Sequence, residues 1–515
     1  MKLTAGILRR EPGWELLLQQ IGLEWKTVSA SEDFRPDELG AIIVNASPTS
    51  LQEKGLLEYV EAGGAALATY GAAHSFVHTR MKTAHFTTLA PYSFDKFSPS
   101  TMMDIYSPGI RETRTSDTHH HFPEIYQLGK GILVSVPFDV NALILDTRSK
   151  RKNFYAGKTR LPSEVTSAVS KGALRSFITE ILQYCYSYRG IPFVHKWYYP
   201  NARHSVFTFR VDSDQGTLKD IDDLHGLCDR YSIKTMWFVD TKSHEQWLSR
   251  FKNFGKQEVG IHCYEHLSYS TDELNFQNFS RAQSLLNQCG ITAQGAAAPY
   301  GTWNLSVAAV FEQLGMQFSS EFSLDYDDLP FFPFLNDRFS PVLQMPIHPI
   351  CVGSMLRSGY SSAEMKEYFR QLIDLKILLR EPLCLYHHPT HHHLEIFEDV
   401  FQYVRLKHVE NLSYSEYAEW WKKRNAIDLK FEYHRKENSV TATASDSTSN
   451  VYWRIVLPDG KEAITNSGGL IPINSLHLQS PAPKPPVPAD IARMRRFDGR
   501  HLIVNLLDMW YKRTQ

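Results

Sequence analysis

Two carboxylates stand one residue apart at the end of an apolar run, in Phe207-Thr208-Phe209-Arg210-Val211-Asp212-Ser213-Asp214. A buried carboxylate without a partner is costly, so acids at a strand tip sit in an open mouth or hold a cation. Two further strand-like runs end the same way, Gly260-Ile261-His262-Cys263-Tyr264-Glu265-His266 and Leu383-Cys384-Leu385-Tyr386-His387-His388. Three runs that each deliver Asp or His at a C-terminal end describe one metal-centred site drawn from distant parts of the chain. His262 and His266 are spaced so that, on a helical turn, both imidazoles face one way and can share an ion. One carboxylate completes a set of two histidines and an aspartate, with positions left for water and a substrate carbonyl. Such an ion polarises the carbonyl and lowers the pKa of bound water. A second carboxylate can then take the water proton, and a histidine opposite can protonate a leaving amine.

These residues need elements to hold them. Strand candidates fall at 205–211, 234–239, 258–262, 293–297, 317–320, 342–346 and 383–387. Helical patterns lie between most of them, at 217–231, 243–254, 271–289, 303–315 and 362–379. This alternation predicts an α/β chain with a central (β/α)7-type barrel over 191–428, its site at the C-terminal ends of the strands. There Asp212 and Asp214 follow the first strand, His262 and His266 the third, Tyr300 the fourth, Asp325 the fifth and His387 the seventh. Residues 1–190 alternate strand and helix and predict a separate, mostly parallel α/β domain. Short alternating strands predict a small antiparallel β domain over 429–478. A Pro-rich linker and tail fill 479–515, in which the apolar stretch 502–507 is expected to dock as a strand.

The chain has 515 residues, 55 basic and 56 acidic, a balance that argues against a dedicated nucleic-acid binder. No window reaches the ~20 apolar residues of a membrane span. The first residues carry no secretory h-region, so the expected location is cytoplasmic, with peripheral membrane association left open. Six cysteines without a CxxC pair read as reduced core thiols, Cys263 among them. His119-His120-His121 and His391-His392-His393 read as polar loops. Asp325, Asp327 and Asp328 are equally readable as site residues or as a solvated loop. The aromatics Trp237, Tyr264, Tyr300, Trp303 and Tyr386 fit a sugar-stacking cleft or ordinary core packing.

Residues 204–425 resemble the polysaccharide deacetylase (NodB-homology) superfamily, carbohydrate esterase family 4, in the two aspartates, the His-x-x-x-His, the Pro299-Tyr300 pair and Leu385-Tyr386-His387. The resemblance implies that Asp212 is the general base and that Asp214, His262 and His266 hold Zn2+ or another divalent transition ion. It further implies that the Tyr300 backbone N–H helps form an oxyanion hole, that His387 is the general acid and that Asp325 supports the site from behind. The aspartates are adjacent in most members, whereas Ser213 separates them here. That form resembles a branch acting on lipid-linked aminosugars, including deformylases of undecaprenyl-phosphate-linked 4-amino-arabinose. In Ala296-Ala297-Ala298-Pro299-Tyr300, Ala297 stands where the family carries the Arg that holds the base. The implied activity is hydrolysis of the N-acetyl or N-formyl amide of an aminosugar in a polysaccharide or lipid-linked glycan. A catalytically weakened carbohydrate-binding scaffold is the alternative, and hydrolysis of a non-sugar ureide a third reading. Residues 1–190 resemble glutamine-amidotransferase-like, flavodoxin-like domains, but the turn reads Thr69-Tyr70-Gly71 without the nucleophilic cysteine. The oligomeric state is not encoded in any of these patterns.

Overall fold

The computed structural model describes residues 1–515 except 76–80, 92–96, 98, 113–122, 158–159, 446–449 and 515, so His119-His120-His121 lies outside the described residues. The chain forms two compact units, each assembled from separated stretches. One holds Met1–Asp146, Val169–Ala202 and Lys422–Val487; the other holds Thr147–Ala168, Arg203–Trp421 and Pro488–Gln515. The backbone passes between the units five times, at 146/147, 168/169, 202/203, 421/422 and 487/488. The division expected from the sequence ran in chain order; these units do not.

The second unit is built on one parallel sheet. Its strands run in the order Leu343–Gln344, Phe318–Ser319, Gly295–Ala296, Glu258–Cys263, Thr235–Asp240, Val206–Asp212 and Leu383–His387, with Glu410–Asn411 beside Val206–Asp212. The outer strands of this path are not paired, so the sheet is an open barrel; bonds from the His348 N–H to the Cys384 carbonyl (2.9 Å) and from the Tyr386 hydroxyl to the Pro349 carbonyl (3.0 Å) bridge the gap. Every residue of Val206–Asp212 is buried, as in a parallel strand covered on both faces. Phe207 and Phe209 pack on Phe397 and Phe401 of the helix Leu394–Leu406. The opposite face carries Arg210 and Asp212. Thr217 and Asp220 form a capping box that starts the helix Leu218–Arg230 just past the two aspartates. The hairpin Ser149–Asn153 with Ser163–Ser167 also belongs to this unit.

In the first unit five parallel strands run in the order Trp25–Thr27, Ala5–Ile7, Ala41–Val44, Ala65–Thr69 and Gly131–Val136, with Glu124–Leu128 antiparallel at the edge. The antiparallel pair Met81–Leu89 with Met103–Glu112 and two three-stranded antiparallel sheets also belong to this unit. Leu429–His434, Ser439–Ala444 and Gly469–Pro472 form one; Phe193–Lys196 joins Trp453–Val456 and Glu462–Thr465 in the other. The run 481–488 is neither helix nor strand. The stretch expected as a strand at 502–507 lies instead in the helix Arg500–Thr514. Its apolar residues recur at helical spacing, and Leu502, Ile503, Leu506, Leu507 and Trp510 are all exposed. No helix among the described residues is long and apolar enough to cross a membrane.

Candidate metal centre and active site

Asp214, His262 and His266 bring one donor atom each to within 4.8 Å of one another. Asp214 Oδ1 lies 3.0 Å from His262 Nε2, and Asp214 Oδ2 lies 3.3 Å from His266 Nε2. The two Nε2 atoms are 3.2 Å apart. His262 Nδ1 donates to the Ala297 carbonyl at 2.6 Å. That bond fixes the tautomer and leaves the Nε2 lone pair for an ion. A carboxylate and two imidazole nitrogens converging at this spacing fit a divalent transition metal by donor type. Burial pushes the Asp214 carboxyl up, but His266, His262 and His388 outweigh it and hold it well below the usual carboxylate range.

His262 and His266 do not share a helical turn. His262 ends the strand Glu258–Cys263, and His266 lies in the loop before the helix Asp272–Gln288. The buried Asn278 of that helix shapes the loop. Its Oδ1 accepts from the Tyr264 and Glu265 N–H groups (2.9 and 2.6 Å), and its Nδ2 donates to the Glu265 and Leu267 carbonyls (2.8 and 2.9 Å). One amide side chain thus replaces the intrahelical bonds that the spacing implied.

Ser213 points to the neighbouring strand, while Asp212 and Asp214 share the interior face. The Ser213 hydroxyl accepts from the Asp240 N–H at 2.9 Å and meets His244 Nε2 at 2.9 Å. Arg210, fully buried, donates from Nε and Nη2 to the two Asp212 oxygens, both at 2.6 Å. Such a fork is the strong form of an Arg–carboxylate pair. Arg210 lies over the rings of Phe238 and Tyr386 and donates to the Ser320 carbonyl. The guanidinium that holds Asp212 therefore comes from the strand that carries Asp212. Ala297 is fully buried, and its carbonyl serves His262 instead.

The third strand tip departs from the expected assignment. His387 does not join the cluster: its ring packs on Phe397 (4.6 Å between centroids), and its Nε2 meets the His392 carbonyl at 3.0 Å. The reason is register. Val211 pairs with His387, and both face the helices. The next residues, Asp212 and His388, face inward together, with His388 Nε2 3.9 Å from Asp212 Oδ2 and 3.4 Å from Asp214 Oδ2. Burial pulls the His388 imidazolium down, but Asp214, Cys351 and Asp212 outweigh it and raise its pKa to about 9. Beyond it, His391 turns in towards Cys351, while His392 is exposed beside Asp220 and His393 pairs with Glu395. Burial raises the Cys351 thiol, but His388 and His391 beside it hold it well below the usual thiol range.

Tyr300 sits next to His266 (ring centroids 4.8 Å) in the left-handed region, φ 59°. Asp325 is fully buried, and its Oδ1 accepts the Tyr326 N–H at 2.9 Å. The carboxyl that stands nearest in chain order to the fifth strand is instead Glu321. It accepts the Ala298 N–H at 3.1 Å, and burial raises its pKa to about 7 against the opposing pull of that bond and of Arg210. Asp327 lies 3.0 Å from both His348 Nδ1 and Lys376 Nζ, and Lys376 also bonds Glu381 at 2.5 Å. Asp328 is buried and caps the Leu329 N–H at 2.7 Å. Cys263 is a core residue. Trp237 is a core residue too, its indole N–H donated to Gln257. Arg210, Asn278, Glu321, His388, His391 and Cys351 were not among the expected site residues. Only Arg210 and His388 carried a signal, as polar residues sharing the inward alternation of Asp212.

No curated protein matches this chain. Among solved structures, a protein named as a polysaccharide deacetylase from Mycobacterium smegmatis is similar at 16% identity and a TM-score of 0.39, over 44% of this chain and 94% of that one. One so named from Pseudomonas aeruginosa PAO1 is similar at 13% identity and a TM-score of 0.37, over 43% and 92%. A family 4 carbohydrate esterase from Streptomyces lividans is similar at 14% identity and a TM-score of 0.30, over 41% and 92%. Residues 204–319, which carry both aspartates, His262, His266 and Tyr300, match the polysaccharide deacetylase family model.

Proposed function

We propose that this protein is a metal-dependent amide hydrolase that removes an N-acetyl or N-formyl group from an aminosugar of a polysaccharide or lipid-linked glycan. One observation carries the reading: the convergence of Asp214, His262 and His266 beside an arginine-held Asp212, with His388 on the neighbouring strand tip. Zn2+ or another divalent transition ion, held by those three residues, would polarise the substrate carbonyl and acidify a water. Asp212 accepts the water proton, its orientation set by the Arg210 fork. His388, in place of His387, delivers a proton to the leaving amine. The Tyr300 backbone N–H is assigned to the developing oxyanion. Glu321 and Asp325 support the site from behind. The choice of acyl group and sugar rests on family analogy.

The scaffold reading drew on Ala297. Arg210 answers the need that alanine left open, which favours turnover. For the first unit we propose an amidotransferase-like, flavodoxin-like domain without glutaminase chemistry. Tyr70, at φ 46°, takes the elbow that would hold the nucleophile.

Elemental analysis of the untagged protein beside the His262→Ala/His266→Ala variant tests the site. The expectation is one transition metal per wild-type chain and none in the variant, followed by deacylation of N-acetylated or N-formylated sugars by the loaded wild type alone. Wild-type protein that takes up neither Zn2+ nor Co2+ would end the hydrolase reading at its first requirement.

A further inference from the structure

We propose that Cys351, His388 and His391 form a second metal site, a thiolate with two imidazoles, selective for a thiophilic ion such as Zn2+. The three donor atoms lie within 4.8 Å of one another, and His388 links this cluster to the first. Cys351 is buried, at the start of the short helix Val352–Arg357. The His388 and His391 Nδ1 atoms are both buried with no oxygen or nitrogen partner, and the group beside them is the Cys351 thiol; such poorly satisfied buried nitrogens are costly unless something else pairs with them. The backbone is also cleared for the ring of His391. A Cβ on Gly353 would come within 2.3 Å of His391 Cε1 and 2.4 Å of its Nε2. Space for this imidazole is built into the helix that carries the cysteine.

The donor set differs in kind from the first. Asp214, His262 and His266 offer one oxygen and two nitrogens; the second cluster offers sulfur and two nitrogens, which favours Zn2+ and other soft ions over oxygen-preferring ones. Three protein ligands leave a fourth position for water or a small anion. His388 is the shared residue. An imidazole that lends a lone pair to a metal does not also carry the second ring proton, so an ion here removes His388 as a proton donor. Binding stands by itself; the inhibitory consequence rests on the hydrolase reading above. The second ion is then an inhibitor, with the threshold set by the affinity of the sulfur site.

The test is a Co2+ titration of the metal-free, full-length chain, followed by absorbance. A thiolate ligand gives an intense sulfur-to-cobalt charge-transfer band, and the Asp-His-His site gives none. The expectation is two ions per chain, with the band tracking one of them. Cys351→Ser should abolish the band and leave one ion. His262→Ala/His266→Ala should leave the band and lose the other ion. His391→Gln should weaken the banded site at least ~10-fold without touching the first. A wild-type chain saturated with Co2+ that shows no band overturns the proposal, even if Cys351→Ser fails to fold. A band that persists in folded Cys351→Ser does the same. With saturating Zn2+, wild type carrying two ions should hydrolyse more slowly than Cys351→Ser carrying one. A chain that shows the band but never hydrolyses keeps the metal site and loses the hydrolase reading instead.

Discussion

Two groups of charged side chains in the same unit use nearly the same residue types to opposite ends. Around Asp327, the carboxylate meets His348 and the Lys376 ammonium, and Lys376 in turn meets Glu381. Burial pushes Asp327 up, yet His348 and Lys376 hold it well below the usual carboxylate range. This group is closed: acid and base satisfy one another. Around Asp214, among the described residues, the paired groups are imidazoles whose nitrogens crowd one carboxylate. That group is open, and it gains its balance from something added. Asp212, two residues away, is closed by Arg210. A carboxylate paired with a permanent cation is a support; a carboxylate ringed by imidazole nitrogens is placed to be a ligand.

The contrast can be broken most strongly at Lys376. Lys376→Met leaves two carboxylates facing each other and should cost about 3–5 kcal/mol of stability in denaturant unfolding, with metal content unchanged. A variant that lost metal without losing stability would reverse the roles given to the two groups.

Glu321 sharpens the contrast through pH. Its folded pKa of about 7 lies above its unfolded value, so the folded state disfavours the charged form. Wild-type stability should fall between about pH 4.5 and 7, by up to about 3 kcal/mol, and stay lowered above that. Glu321→Gln should flatten that slope, as read from unfolding midpoints at pH 5 and pH 8.

Asn278→Ala tests whether the open group depends on its loop. Freed of four amide bonds, His266 should wander, and metal affinity should drop about 10–100-fold, measured by competition with a chelating dye. The mildest change concerns position 297. Ala297→Arg should bring no gain of hydrolysis, because Asp212 already has its guanidinium. It should cost about 1–3 kcal/mol by overfilling a fully packed position.

How much of this was legible follows from where the information sits. The barrel strands were visible as apolar runs with polar tips, since burial on both faces removes polar residues from 206–211 except Thr208 and Arg210. Asp214, His262 and His266 were legible for the same reason. Arg210 was written in the same run, two residues before Asp212. The family resemblance points to position 297 for that guanidinium instead. Choosing His388 over His387 needed the pairing of Val211 with His387, a register between strands far apart in the chain. The loop holding His266 depends on one amide from a following helix, and Cys351 reaches the site from a segment with no periodic pattern of its own. Such placements are tertiary facts with no local trace.

The five passages of the backbone between the two units bear on how the protein is made. The first unit needs 422–487 before it is complete, and the second needs 488–515. Neither can finish folding on the ribosome until those stretches have emerged, so earlier nascent stretches of both must wait with apolar surface exposed. Splitting the gene at residue 203 into two halves should yield two incomplete products, each short of strands or a hairpin that the other half encodes.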